Sequence, residues 1–244
     1  MHSSHKLVTF VVYADCLIIL KMKKIFLTLF SALLATAIFS QAIFAQPKAI
    51  DMGLSVKWAS CNLGASSPEA LGNYYAWGET EPKDAYNWFT YKLCNGSYQS
   101  LTKYNNREDY GPVDDKLVLE PMDDAAHVRL GGKWRIPTDA EWEELKDKCT
   151  WTKATQNGVK GMLVTSNVNG ASLFLPAAGM IFDTKIYNGP GQDDERLSHL
   201  GYYWSSTLNK DNSAAARGLF TFASYCRVHI GIRFAGQSIR PVSE

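Results

Sequence analysis

Residues 134–149 read Trp-Arg-Ile-Pro-Thr-Asp-Ala-Glu-Trp-Glu-Glu-Leu-Lys-Asp-Lys-Cys, and the class of fold turns on them. Thr138 is followed three residues later by Glu141, so the hydroxyl and the carboxylate can each take a backbone N–H that a helix start leaves unpaired, the arrangement of a capping box. Pro137 stands just outside. Trp142, Leu145 and Cys149 then recur at helical spacing, while Asp139, Glu143, Lys146 and Lys148 take the other faces. One well-defined helix is therefore predicted near 139–149. Beyond it the pattern changes to strand-like runs at 159–165, 172–175, 201–207, 217–223 and 228–234, with Gly, Asn and Pro at the breaks. A helix followed by strands predicts an α+β domain with a largely antiparallel, twisted sheet.

Working towards the N-terminus, 51–59 (Asp-Met-Gly-Leu-Ser-Val-Lys-Trp-Ala) alternates at Leu54, Val56 and Trp58, the period of a half-buried strand. Residues 62–83 are rich in Gly, Ser, Pro and Glu, and Ser67-Pro68-Glu69 suits the start of a short helix. Residues 90–124 read as a long irregular surface loop, with Asn95-Gly96 and Tyr110-Gly111-Pro112 as turn signals. No linker or internal repeat divides 46–244, so one domain is expected there.

The first 45 residues have a different character. Met22-Lys23-Lys24 followed by the apolar run 25–39 is the layout of a secretory signal. Small residues at Ser40, Ala42 and Ala45 allow cleavage after Ala42 or Ala45, and the second leaves Gln46 first. The apolar run is fifteen residues long, short of the roughly 20 that a spanning helix needs. Residues 1–21 in front of a complete signal read as an over-called extension, and Asp15 before Cys16 argues against a lipid attachment site. Export to the periplasm, cell surface or medium is the expectation.

From residue 46 the chain carries 21 basic and 23 acidic residues. It lacks the basic excess that a nucleic-acid partner would require. Its four cysteines, Cys61, Cys94, Cys149 and Cys226, allow three disulfide pairings, and the sequence does not choose among them. No spacing of Cys and His resembles a zinc site.

Four constellations carry chemistry. Asp109, Asp114, Asp115, Glu120, Asp123 and Asp124 could collect Ca²⁺, but they match no calcium-loop spacing and read as a solvated acidic loop. Asp183 with Asp193-Asp194-Glu195 reads the same way. Cys226 and His229 could pair as nucleophile and base, yet an offset of three in a strand points them to opposite faces. Near the C-terminus, Trp204, Asn209, Asn212, Arg217, Tyr225, Arg227, His229 and Arg233 combine rings with Arg and Asn, the stacking and bidentate chemistry of sugar and protein recognition. Any one of them taken singly reads as the wet face of a sheet. No metal or cofactor is predicted.

A resemblance adds to this. Asp51 to Ala65, Tyr74-Tyr-Ala-Trp-Gly-Glu-Thr80, Asp123-Asp-Ala-Ala126, Trp134 to Trp142, Leu175-Pro-Ala-Ala-Gly179, Tyr203-Trp-Ser-Ser206 and Gly236-Gln-Ser-Ile-Arg-Pro-Val242 together resemble the Fibrobacter succinogenes major paralogous domain of exported proteins in Bacteroides-type bacteria. The Arg135 to Trp142 segment is also similar to formylglycine-generating, sulfatase-modifying proteins, and this implies a C-type-lectin-like fold. In that enzyme two redox cysteines lie close together near the C-terminus, whereas here Cys226 is followed by Gly231 where the second thiol is expected. The Ile-Arg-Pro-Val type of ending resembles variable binding proteins diversified by retroelements. That likeness implies a framework at Trp204–Ser206, Leu219, Phe222 and Gly236–Val242, with contacts at Asn209, Ser213, Arg217, Tyr225, Arg227, His229 and Arg233. The expectation is a non-catalytic module for a glycan or protein ligand, with an oxidase relative centred on Cys226 and a structural piece of a surface assembly as alternatives.

Overall fold

The computed structural model describes residues 46–190, 200–222 and 225–244. The expectations for 1–45, for Asp193-Asp194-Glu195 and for residue 223 at the end of a predicted strand lie outside the described residues. Residues 46–244 cluster as one unit.

The helix predicted at Thr138 is present as Asp139–Lys148 (α2). Thr138 Oγ1 accepts from the Glu141 N–H at 3.3 Å and Glu141 Oε2 accepts from the Thr138 N–H at 2.8 Å, so both halves of the capping box are made. Its buried side chains are Trp142 and Leu145, while Lys146 and Lys148 lie in the last turn, where they complement the helix dipole. The chain then turns directly into strand, because Cys149 already has extended dihedrals.

Twelve strands are described. Ala49–Ile50 (β1), Lys57–Ala59 (β2), Val242–Ser243 (β12) and Trp134–Arg135 (β3) form one sheet in the order β1-β2-β12-β3. Cys149–Gln156 (β4), Val159–Ser166 (β5) and Ser172–Pro176 (β6) form a meander. Met180–Phe182 (β7) pairs with Lys185–Tyr187 (β8). Gly201–Leu208 (β9), Ala215–Phe222 (β10) and Tyr225–Ile232 (β11) form the third large sheet, with β10 in the centre. Every ladder between these strands is antiparallel. The protein is therefore a mixed domain, mostly sheet with two short helices, as the α+β reading expected.

Three parts of the local reading are corrected. The run 51–59 is strand only from Lys57, because Asp51 Oδ1 accepts from the Gly53 N–H at 2.8 Å and Gly53 sits at φ +68°. That side-chain turn breaks the extended backbone. No helix follows Pro68. The segment is held as turns by the Asn62 amide on Leu71 O and by the Asn73 N–H on Leu63 O. Residues 90–124 are irregular but are not a surface loop: Tyr91, Leu101, Tyr104 and Asn105 are buried. Three short 3₁₀ turns punctuate the segment at Tyr98–Ser100, Glu108–Tyr110 and Pro121–Asp123. Just beyond it lies an unexpected helix, Ala125–Leu130 (α1), which Asp124 caps by accepting from the His127 N–H.

The core has three parts. Around α2, Trp142 and Leu145 meet Trp58, Met162, Val164, Leu173, Leu175, Tyr203, Leu219 and Val242. On the other side of the β9-β10-β11 sheet, Trp204, Leu208 and Ala216 pack with Tyr75, Trp77, Tyr104, Leu119, Ala125, Ile136 and Ile239. Tyr86, Tyr91, Cys94 and Leu101 make the third. The central sheet therefore has α2 on one face and the long irregular segments on the other, and only part of that second face is covered.

Candidate functional site

Strand alternation assigns the side chains of β11. Tyr225 pairs across to Phe222, Arg227 to Phe220 and His229 to Gly218, while Tyr202 and Trp204 of β9 stand beside Phe220 and Gly218. These residues share one face of the sheet. Its lower half is closed: Trp204 is 1% exposed and its indole N–H donates to Tyr75 O at 2.8 Å. Its upper half is open.

On the open half, Tyr202, Phe220, Phe222, Tyr225 and His229 form a contiguous ring cluster. Tyr202 lies 5.0 Å from Phe220 and 5.4 Å from His229, and Tyr225 lies 6.0 Å from Phe222, all between centroids. The Arg227 guanidinium sits over Phe220 at 5.4 Å. Tyr202, Phe220, Arg227, Val228, His229 and Ile230 line an open cavity of about 350 Å³. Tyr225 is 47% exposed. His229 Nε2 meets Gln237 Oε1 at 3.2 Å, and burial, with a smaller push from Arg227, lowers the imidazole to about 4. The ring is neutral at ordinary pH, so the charge on this half of the face comes from Arg227.

The other candidate contacts sit elsewhere. Arg233 is fully buried. Its guanidinium donates to Tyr91 Oη at 2.8 Å and to the carbonyls of Tyr104, Ser213 and Lys103 at 3.0 Å each, and it lies 4.9 Å from the Trp77 ring. It braces the core and cannot reach a ligand. Arg217 pairs with Asp139 on the α2 side of the sheet. Asn209 is buried in the β9–β10 turn, where Oδ1 accepts from the Asp211 N–H. Asn212 Oδ1 accepts from the Ala214 N–H in the same turn. Ser213 is buried against Asn106. Of the array read from sequence, Tyr225, Arg227 and His229 come together on the open face. Phe220, Phe222 and Tyr202 join them there; the alternation in 217–223 contained that signal for the two phenylalanines.

Cys226 points to the opposite face, where it packs beside the α2 core. Desolvation raises its thiol to about 12, so it is not a thiolate at neutral pH. Cys149 is likewise raised to about 11 by burial. All four described cysteines are free. Gly231 lies five residues on and so faces away from Cys226. A Cβ placed there would stand 2.8 Å from Trp204 Cη2 and 2.4 Å from Gln237 Nε2. Packing against that tryptophan, rather than redox chemistry, accounts for the glycine.

The acidic stretch is internally paired. Asp114 accepts from the backbone N–H groups of Tyr104 and Asn105, each at 2.9 Å. Glu120 meets Lys103 and Lys116, Asp123 meets Lys103 and the Tyr104 hydroxyl, and Asp109 meets Arg107. Asp183 accepts from the Asn87 amide at 2.7 Å. Among the described residues no helix is long and apolar enough to cross a membrane.

Compared with known proteins, the chain matches no family model, no curated protein and no solved structure.

Proposed function

We propose that the protein is an exported, non-catalytic binding module of C-type-lectin-like type, and that the open half of the β9-β10-β11 face is where a glycan or protein ligand docks. The observation that supports this is the contiguous ring cluster of Tyr202, Phe220, Phe222 and Tyr225 with Arg227 among them. Tyr225 is exposed and the other three rings are half-buried, and aromatic side chains beside an arginine are the residue types that dominate binding hot spots. The likeness to the Fibrobacter succinogenes major paralogous domain, and to variable proteins diversified by retroelements, supports the same reading. A structural role in a surface assembly would use the same face.

The oxidase alternative finds little support. Its sulfur would have to be a protonated thiol facing the α2 core, without a second thiol at Gly231.

The test is a double variant, Tyr225→Ala with Arg227→Ala, screened beside the parent on glycan and surface-protein arrays. Both side chains are exposed, so the fold should survive, as circular dichroism and the melting temperature would show. At least a tenfold loss of the bound signal is expected, since two hot-spot residues are together worth more than about 1.4 kcal/mol. Unchanged binding profiles would remove this face from consideration.

A further inference from the structure

The β9-β10-β11 sheet has one covered edge and one bare one. On the outer side of β9, the N–H groups of Trp204, Ser206 and Leu208 donate to the carbonyls of Ser238, Pro137 and Leu117. β11 stands at the other edge, with β10 as its only strand partner among the described residues. The Arg233 N–H donates to Ala214 O, in register with the β10–β11 ladder. Hydrogen-bonded pairs alternate along an antiparallel ladder, so the backbone of Tyr225, Arg227, His229 and Gly231 turns to β10. The backbone groups of Cys226, Val228 and Ile230 turn outward. Gly189 and Leu200, which flank residues 191–199, stand against Ala178 and Gly179 on the β9 side of the sheet.

The hollow of about 350 Å³ opens along the bare edge. Arg227, Val228, His229 and Ile230 all line it. Consecutive strand residues point to opposite faces, so four in a row share one hollow only beside the strand's backbone. An edge left in this way is a template for another strand, and proteins blunt such edges with lysine, proline, bulges or short length. The other outer strands of this protein are blunted. β4 exposes Lys153 among threonines, β6 ends in Pro176, and β1, β3 and β8 have only two or three residues. β11 runs for eight residues in an unbroken ladder, with neither lysine nor proline. Ile230 and Ile232, on its Cys226 face, are 56% and 43% exposed.

A second β11 fits this edge. Outward groups meet where even-numbered residues oppose even-numbered ones, and a two-fold axis at Val228 sets Val228 against Val228 and Cys226 against Ile230, apolar on apolar. On the other face Arg227 meets His229, whose ring is neutral at ordinary pH. An axis at Arg227 would instead set two guanidiniums against each other. We infer that β11 pairs antiparallel with β11 of a second copy about an axis at Val228, and that the two ring clusters thereby share one side of a continuous sheet with three strands from each copy.

Sedimentation equilibrium of the purified protein, over about a hundredfold range of concentration, tests this and should return a reversible monomer–dimer equilibrium. Val228→Pro removes the outward N–H at the axis and leaves the ladder to β10 whole, since proline is tolerated on the free side of an edge strand. Its dimer should dissociate about tenfold or more readily, with an unchanged circular dichroism spectrum. Ile230→Lys, which adds a charge to an exposed side chain of the same edge, should weaken the dimer likewise and serves if the proline variant misfolds. A monomer at every concentration, or a dimer that a folded variant leaves intact, overturns the inference. The docking face is judged separately: ligand binding by Val228→Pro that still depends on Tyr225 and Arg227 keeps that face even if the dimer falls, and binding that depends on neither removes it even if the dimer stands.

Discussion

Arg227 and Arg233 look alike in the sequence, since one stands just before the last predicted strand and the other within it at the same parity, yet one is exposed and the other is sealed. The parity argument holds only while the strand lasts. β11 ends at Ile232, and Arg233 N–H turns back to Ala214 O. Three of the partners that hold Arg233, namely Tyr91, Lys103 and Tyr104, lie between 129 and 142 residues earlier in the chain. No local pattern encodes that distance. Arg233→Met should therefore destabilise the domain by roughly 3 kcal/mol or more, because it leaves three carbonyls and a phenol without their donor. Arg217→Ala, which removes a partly exposed pair with Asp139, should cost under about 1 kcal/mol in the same denaturant titration. Equal losses from the two would refute the assignment of Arg233 to the core. His229 supplies a second check at this scale. Its folded value of about 4 lies below the roughly 6.5 of an unfolded histidine. Between those values the unfolded chain binds a proton that the folded one refuses, so stability falls as pH drops from about 6.5 towards 4 and changes no further below that. In His229→Gln that part of the acid sensitivity, of the order of 2 kcal/mol at pH 4.5, should disappear. Parallel stability curves for parent and variant would show that the ring is not held neutral.

Elements were legible where one residue pair or one period specifies them. The capping box of α2 is a chemical signal four residues long, and it is made in full. Thr138→Ala should accordingly cost about 1 kcal/mol, read as a shift in the denaturation midpoint with an unchanged slope. No shift would mean that the Trp142 and Leu145 contacts alone fix the helix start. The strands β5, β6, β9, β10 and β11 were read to within about two or three residues at each end, as expected of half-buried alternation. β4 was missed because its surface is too polar to show a period: Thr150, Thr152, Lys153 and Thr155 are exposed, and only Trp151, Ala154 and Gln156 are half-buried. A signal for it was present all the same. Asn157 and Gly158 both have positive φ, +48° and +81°, the two-residue turn that joins a tight hairpin. α1 was missed for a different reason: six residues are too few to display a helical period, and the Asp124 cap serves α1 and the Ile136 N–H at once.

On the scale of the whole molecule, the order of elements was enough to read the α+β class, and the candidate face was legible as a cluster of residue types but not as a surface. What closes part of that face, and leaves the rest open, is the irregular segment that carries Tyr75, Trp77 and Tyr104. Its side chains fill the core without a repeating pattern, so its sequence reads as loop. Two buried arginines do comparable work. Arg240 donates to Asn62 Oδ1, Ala59 O and Phe174 O at 3.0, 3.0 and 2.6 Å, and like Arg233 it ties the last part of the chain to segments far earlier by way of neutral acceptors.

β12, at residues 242–243, lies between β2 at 57–59 and β3 at 134–135. The sheet that joins the front of the chain to its middle has its central member supplied last. Without β12, β2 and β3 face a gap, and Trp58 lacks the Val242 neighbour that completes its ladder. Pairing between positions so far apart in the chain is slow, and β2 and β3 stay unjoined until residues 242–243 take their place between them.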